Sequence, residues 1–214
     1  MKTSHITLSG IAVAASVLVA GCATTPSSAE LDALATQTIM TSFRDQGIAK
    51  VDRLKQDLGQ SACSSDKPPS DAVAQRIMEE AKASIKWPAD GQYFGDFAAG
   101  ERLAQNGRGS TWTDAPGSPN GGNCYNCHQI SKAEVSYGNI GPSLYQYGKN
   151  RGISDVAAAT ALPIIQYTWT KLYNSKAYAA CSNMPRFGHV GLLDEKQMRD
   201  LMSLLLDPRS PVNQ

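Results

Sequence analysis

The chain has 214 residues, 20 Lys+Arg against 19 Asp+Glu, a formal charge of +1, and 42% hydrophobic and 18% charged residues. That apolar fraction supports a packed core and excludes wholesale disorder, and the length fits one domain with an appendage. Near-zero net charge lacks the basic face that electrostatic binding to nucleic acid requires. Five cysteines and three histidines form a scarce supply from which any metal chemistry must be drawn.

Lys2 precedes an uncharged run of apolar and small residues from Ile6 to Ala20. The run is shorter than the ~20 residues a spanning helix needs, and it fits the apolar region of a secretory signal. It ends Val19-Ala20-Gly21-Cys22, which resembles a bacterial lipobox. Residues 1–21 therefore read as a lipoprotein-type signal peptide, Cys22 as a lipidated new N-terminus, and residues 22–29 as a tether. The alternative is an ordinary signal cleaved near Ala29, with Cys22 discarded. Either route removes Lys2 and His5. No other segment is apolar enough to span, so the expectation is a periplasmic chain, lipid-anchored through Cys22, with no transmembrane helix.

Residues 30–58 read as one long amphipathic helix, with Leu31, Leu34, Ile39, Phe43, Ile48, Val51, Leu54 and Leu58 on its stripe and Gly59 as its stop. Cys63 falls in a Ser-rich turn, and Pro68-Pro69 break any helix. Ser70 can cap a second helix carrying Val73, Ile77, Ala81 and Ile85, ended by Pro88. Residues 30–92 thus form a helical N-terminal extension. A third helix covers about 96–105, and the Gly- and Pro-rich stretch 106–123 is loop. A further loop holds Gly138, Gly141 and Pro142. Ser154 can cap a helix from Asp155, interrupted or kinked at Pro163 and resumed through Ile164 to Leu172. Residues 173–191 are irregular, and a final helix runs from Asp194 to Leu206 with Pro208 closing it. Period-2 alternation is missing, so the predicted fold is all-α.

Cys124-Tyr125-Asn126-Cys127-His128 has the spacing C-x-x-C-H. Two thiols three residues apart on one turn can add to two vinyl groups of a haem, and the adjacent imidazole can reach the iron. The motif reads as c-type haem attachment. A redox disulfide is a competing reading, but no βαβ pattern surrounds the motif. Half a zinc site is another, but a second ligand pair is missing. A sixth iron ligand can come from Met184, His189 or Cys181, with Met40, Met78, Met198 and Met202 as outsiders that read as core. Met184 stands out in the irregular string Asn183-Met184-Pro185-Arg186-Phe187-Gly188, and His/Met ligation raises a haem potential. His189 reads as a surface residue. In Gly141-Pro142-Ser143-Leu144 the Pro142 carbonyl can accept the other ring N–H of His128, or the segment is simply a turn. Cys63 and Cys181 remain for a disulfide in an oxidising compartment, closing a loop of about 120 residues worth about 4–5 kcal/mol in the chain-entropy model. A reactive thiol or thiolate ligand at Cys181 is the competing reading.

Together, C-x-x-C-H, Gly-Pro-x-Leu, the Met-Pro-x-Phe-Gly loop and the last helix resemble a class I cytochrome c over about residues 93–207, which places a cytochrome c domain at 93–214. More narrowly, the strings 122–130, 141–144, 181–188 and 206–213 look like the SoxX family, a subunit of the sulfur-oxidation cytochrome SoxAX. The resemblance implies one covalently bound haem c held by Cys124 and Cys127, with His128 and Met184 on the iron. It implies a role as electron-transfer subunit of a periplasmic L-cysteine S-thiosulfotransferase, which couples thiosulfate to a cysteine of the SoxYZ carrier. In that family the catalytic site lies on the SoxA partner, a dihaem or monohaem cytochrome. This chain would carry no catalytic residue and would pass electrons to a small cytochrome c. A stand-alone membrane-tethered electron carrier is the alternative, and a haem sensor with an open iron is a third reading.

Overall fold

The computed structural model describes residues 25–214. The signal segment and Cys22 lie outside the described residues. Residues 43–214 form a compact unit separate from the segment that precedes them. Among the described residues the regular structure is helical, with one isolated antiparallel bridge between Gln46 and Ala49. No helix of the described residues is long and apolar enough to cross a membrane.

Helix α1 spans Ser28–Ser42 and buries none of its side chains. Ser27 and Glu30 start it reciprocally: Glu30 accepts from the Ser27 amide and hydroxyl, and the Glu30 amide donates to Ser27 Oγ. Met40, expected in a core, is 44% exposed here.

The long helix expected over 30–58 is several pieces. After α1 the chain turns at 46–49, where Gly47 adopts φ +50° and a Cβ would run into the Trp112 carbonyl. Asp45 Oδ1 accepts from the Val51 amide at 2.9 Å and starts a 3-10 turn over Val51–Leu54. Helix α2 follows at Leu58–Cys63, opened by a reciprocal capping box between Asp57 and Gln60. Hydrophobic spacing carried across this stretch, but the left-handed glycine and a second N-cap interrupt the backbone. Gly59 is therefore not a stop. It lies inside α2 against the Lys176 side chain and Ile77. Cys63 is the last residue of α2 rather than part of a turn.

Helix α3 spans Asp71–Ala83 and buries Ile77 and Ala81. It ends five residues before Pro88, because Ser84 closes it with its hydroxyl on the Ala81 carbonyl at 2.7 Å and is itself held by Asn174 Nδ2 at 3.0 Å. Lys86 then offers its carbonyl to Trp169 Nε1 at 2.9 Å. Residues 43–92 belong to the compact unit of residues 43–214.

Helix α4, Phe97–Gln105, is capped by Asp96, whose Oδ1 accepts from the Ala99 amide at 2.6 Å. It crosses helix α6, Glu195–Leu206, at close range. A Cβ on Gly100 would strike the Asp200 carbonyl, so glycine is what permits the approach. The Asp96 amide donates to Asp200 Oδ1 at 2.8 Å and ties the two helices together. Asp194 and Gln197 form the capping box that starts α6. Met198, Leu201, Met202, Leu204, Leu205 and Leu206 of α6 are all buried, each side chain of that size contributing about 1.5–3 kcal/mol. Helix α5 spans Leu162–Tyr173, after a 3-10 turn over Ala159–Ala161. Pro163 sits in its first turn, where a missing N–H costs nothing, so it starts the helix instead of kinking one.

Candidate functional site

Asn123 precedes the C-x-x-C-H segment in the left-handed region at φ +52°. The amides of Gly122 and Asn123 donate to the carbonyls of Leu103 and Asn106, both at 2.9 Å. The motif is thereby tied to the end of α4. Cys124–Asn126 forms a 3-10 turn, and the Cys127 and His128 amides both reach the Cys124 carbonyl at 3.1 and 2.9 Å. One turn therefore carries both thiols and the imidazole. Tyr125 is buried inside it: its hydroxyl donates to Glu101 Oε1 at 2.7 Å and accepts from the Ser131 amide at 3.1 Å. Burial, reinforced by the Glu101 carboxylate, raises the Tyr125 pKa, so the phenol stays protonated and keeps its donor role.

The 138–144 loop closes over this turn. Gly138, Gly141 and Leu144 amides donate to the carbonyls of Tyr125, Cys127 and Gln129 at 2.8, 2.8 and 2.7 Å. His128 Nδ1 lies 2.7 Å from the Pro142 carbonyl. A carbonyl only accepts, so Nδ1 carries the proton and Nε2 is the nitrogen with a free lone pair. A Cβ on Gly141 would fall inside the His128 ring, so the loop can lie against the imidazole only with glycine there.

Both thiols are free. Burial pushes the Cys124 thiol up to about 12. A thiol protonated at neutral pH is a poor redox nucleophile, which weighs against the dithiol–disulfide reading. Cys124, Cys127, His128 and Pro142 line one cavity of about 570 Å³ together with Met184. That volume lies within the range of about 300–1,000 Å³ that cofactor-sized ligands fill. Met184 comes from a separate segment, the irregular stretch after α5. Its carbonyl accepts from Ser175 Oγ at 2.6 Å, and its amide donates to Ser182 Oγ at 3.3 Å. Phe187, Leu201, Leu204 and Leu205 supply the apolar wall.

The other sequence candidates fall elsewhere. Cys181 is bonded to Cys63 with Cα atoms 5.4 Å apart, so neither sulfur is a free thiol or a ligand. His189 is exposed and lines a separate groove with Arg186 and Asp57. Met198 and Met202 are buried in α6, and Met78 lies half-buried on α3.

The model of the Cytochrome c family matches residues 97–207. The chain belongs to the cytochrome c family. It is also 39% identical over 162 residues to an "Uncharacterized lipoprotein" of Aquifex aeolicus (strain VF5), covering 74% of this chain and 73% of that one. As a member of the family it is an all-α electron-transfer protein with one covalently bound haem c.

The cavity fits that group on its own chemistry. It brings two free thiols, an imidazole with a free Nε2, and a thioether to one space. Its fixed charges are Arg151 and Lys171, with no carboxylate in the lining, which suits a cofactor bearing two propionates. Arg151 lies over the Tyr147 ring at 3.5 Å and donates to the Tyr147 carbonyl at 3.2 Å. Tyr147 in turn is hydrogen-bonded to Thr168 Oγ1 at 3.0 Å. Burial lowers the Lys171 pKa. Sequence reading missed Arg151, Lys171, Tyr147 and Thr168, which line the cavity from separate segments and share no motif. Bound haem c would supply a one-electron iron couple, and the residues lining the cavity would hold and orient it.

Proposed function

We propose that Cys124 and Cys127 form the two thioethers to haem, that His128 Nε2 and Met184 Sδ are the axial ligands, and that the Pro142 carbonyl orients His128 and raises its basicity. The observation that carries this reading is the convergence of all five residues on one cavity. The test is Met184→Ala in the haem-loaded chain. The Met–iron charge-transfer band at the red end of the ferric spectrum is expected to vanish, with no change overturning the ligand assignment. The same measurement separates this reading from a sensor with an open iron, which would lack the band in the unaltered protein.

The biological role proposed is that of a SoxX-like electron-transfer subunit of a periplasmic thiosulfate-oxidising complex. Three of the four strings that resemble that family, 122–130, 141–144 and 181–188, contribute to the cavity wall, while 206–213 does not, and this supports the reading. On it, the catalytic centre lies on a SoxA-like partner, SoxYZ carries the substrate cysteine, and a small cytochrome c accepts the electrons. A tethered carrier without an enzyme partner is the second reading, favoured by the lipobox-like Cys22 and by the lipoprotein name of the Aquifex relative. Copurification decides between them. A tagged chain from thiosulfate-grown cells is expected to bring down a second haem protein, and its failure to do so favours the lone carrier. Lipid attachment at Cys22 is proposed on the same two grounds. Mass spectrometry of the mature N-terminus tests it.

A further inference from the structure

Helix α2 contributes no residue to the cavity wall, yet it is fastened to the chain around Met184 by three contacts of different chemistry. Cys63, its last residue, is bonded to Cys181, three residues before Met184. Asp57, its N-cap, pairs with Arg186, two residues after Met184. Lys176 reaches across between them. It is buried, and its ammonium donates to the Ala180 carbonyl at 2.8 Å and to the Gly59 carbonyl inside α2 at 3.3 Å, with Cys63 Sγ 3.9 Å away. A buried ammonium is costly unless its protons are taken up, and here two backbone carbonyls take them. Glycine at 59 admits the lysine stem: a Cβ would meet Lys176 Cδ at 3.2 Å. The next side chain along, Ser175, holds the Met184 carbonyl directly.

We propose that α2 is a strut that keeps Met184 in its ligating position, with Lys176, Cys63 and Cys181 as positioning residues. The inference rests on Met184 being the sixth iron ligand. Residues 174–191 contain little regular structure, so Met184 is held by isolated turn and side-chain hydrogen bonds, such as those to Ser175 and Ser182, and not by a helix. Fastening the segment on both sides of Met184 removes loop conformers in which the sulfur is withdrawn from the cavity. Apparent affinity for an outside ligand scales with the fraction of molecules in the open form, so a loosened strut is read as tighter binding of a competitor.

The test is an imidazole titration of the ferric, haem-loaded full chain, followed by loss of the Met–iron charge-transfer band. Lys176→Met and the double variant Cys63→Ser/Cys181→Ser are expected to bind imidazole about tenfold more tightly or better, the factor by which the open fraction rises. Asp57→Asn keeps the capping function and the surface site, so it folds if the buried variants do not. It is expected to shift in the same direction by less. Arg76→Ala, which breaks the exposed pair with Glu80 on α3, is expected to behave as the unaltered chain. Unchanged imidazole affinity in Lys176→Met and in Asp57→Asn overturns the strut. Absence of the band from the unaltered chain overturns the Met184 ligation itself, and the two failures are thereby told apart.

Discussion

The two sides of the cavity are held by different kinds of structure. On the His128 side, residues at most four apart make the turn: the Cys127 and His128 amides return to Cys124, and the loop that closes over it begins within 15 residues. On the Met184 side the anchors come from far along the chain. Cys63 is 118 residues from Cys181, and Asp57 is 129 residues from Arg186. A short motif can preform a histidine and two thiols, whereas a methionine in an irregular segment needs tertiary fasteners. The difference predicts that the Met184 side yields first when the fold is perturbed.

The largest effect is expected from Cys124→Ala/Cys127→Ala, which removes both attachment points. Haem stain on a denaturing gel should disappear, and persistence of covalent haem would show that these thiols do not carry it. Gly141→Ala strikes the His128 side alone. The new methyl has no room beside the imidazole, and an overpacked site of this kind costs about 1–3 kcal/mol. Thermal unfolding of the haem-loaded chain should show it, and an unshifted midpoint would mean that the 138–144 loop can move aside. Ser175→Ala is the counterpart on the Met184 side. It strips one hydrogen bond from the Met184 carbonyl, worth about 1 kcal/mol, and should weaken the charge-transfer band while leaving covalent haem intact. An equal response in Gly141→Ala would erase the contrast between the sides.

The smallest effect is the pH dependence of the Asp57–Arg186 pair. Burial raises the Asp57 pKa, but the hydrogen bond from Arg186 and the Gln60 amide outweigh it, so the carboxyl sits below its ordinary value. A depressed folded pKa means that the stabilisation is present above the unfolded value of about 3.9 and is lost as pH falls through the folded one. For a pair this exposed it is at most about 1 kcal/mol. Asn retains the cap, so Asp57→Asn should be slightly less stable than the unaltered chain at neutral pH, and the gap should close in acid. A gap that stays constant down to pH 3 would place the effect in packing instead of charge.

Much of the cavity was legible in the chain itself. C-x-x-C-H is local chemistry, and a carbonyl 14 residues on that meets His128 Nδ1 follows from a short loop with glycine and proline. The α4 and α6 boundaries were close because Asp96 and Asp194 are explicit caps. The apolar spacing of 30–58 suggests one helix because it continues through Gly47, whose left-handed turn lies against the Trp112 carbonyl of the 106–123 loop. A proline at a helix start and one in its interior look alike until the preceding turn is placed, so Pro163 marks a break in the sequence pattern and a first turn in the structure.

Sequence alone determined the helical class and the C-x-x-C-H motif, because each depends on groups within one or two turns of each other. Only the tertiary structure decided that Arg151 and Lys171 face the cavity, that Lys176 is buried against α2, and that Asp57 meets Arg186. Those pairings join segments tens to more than a hundred residues apart. Their energy comes from desolvation and close approach, which no local pattern encodes.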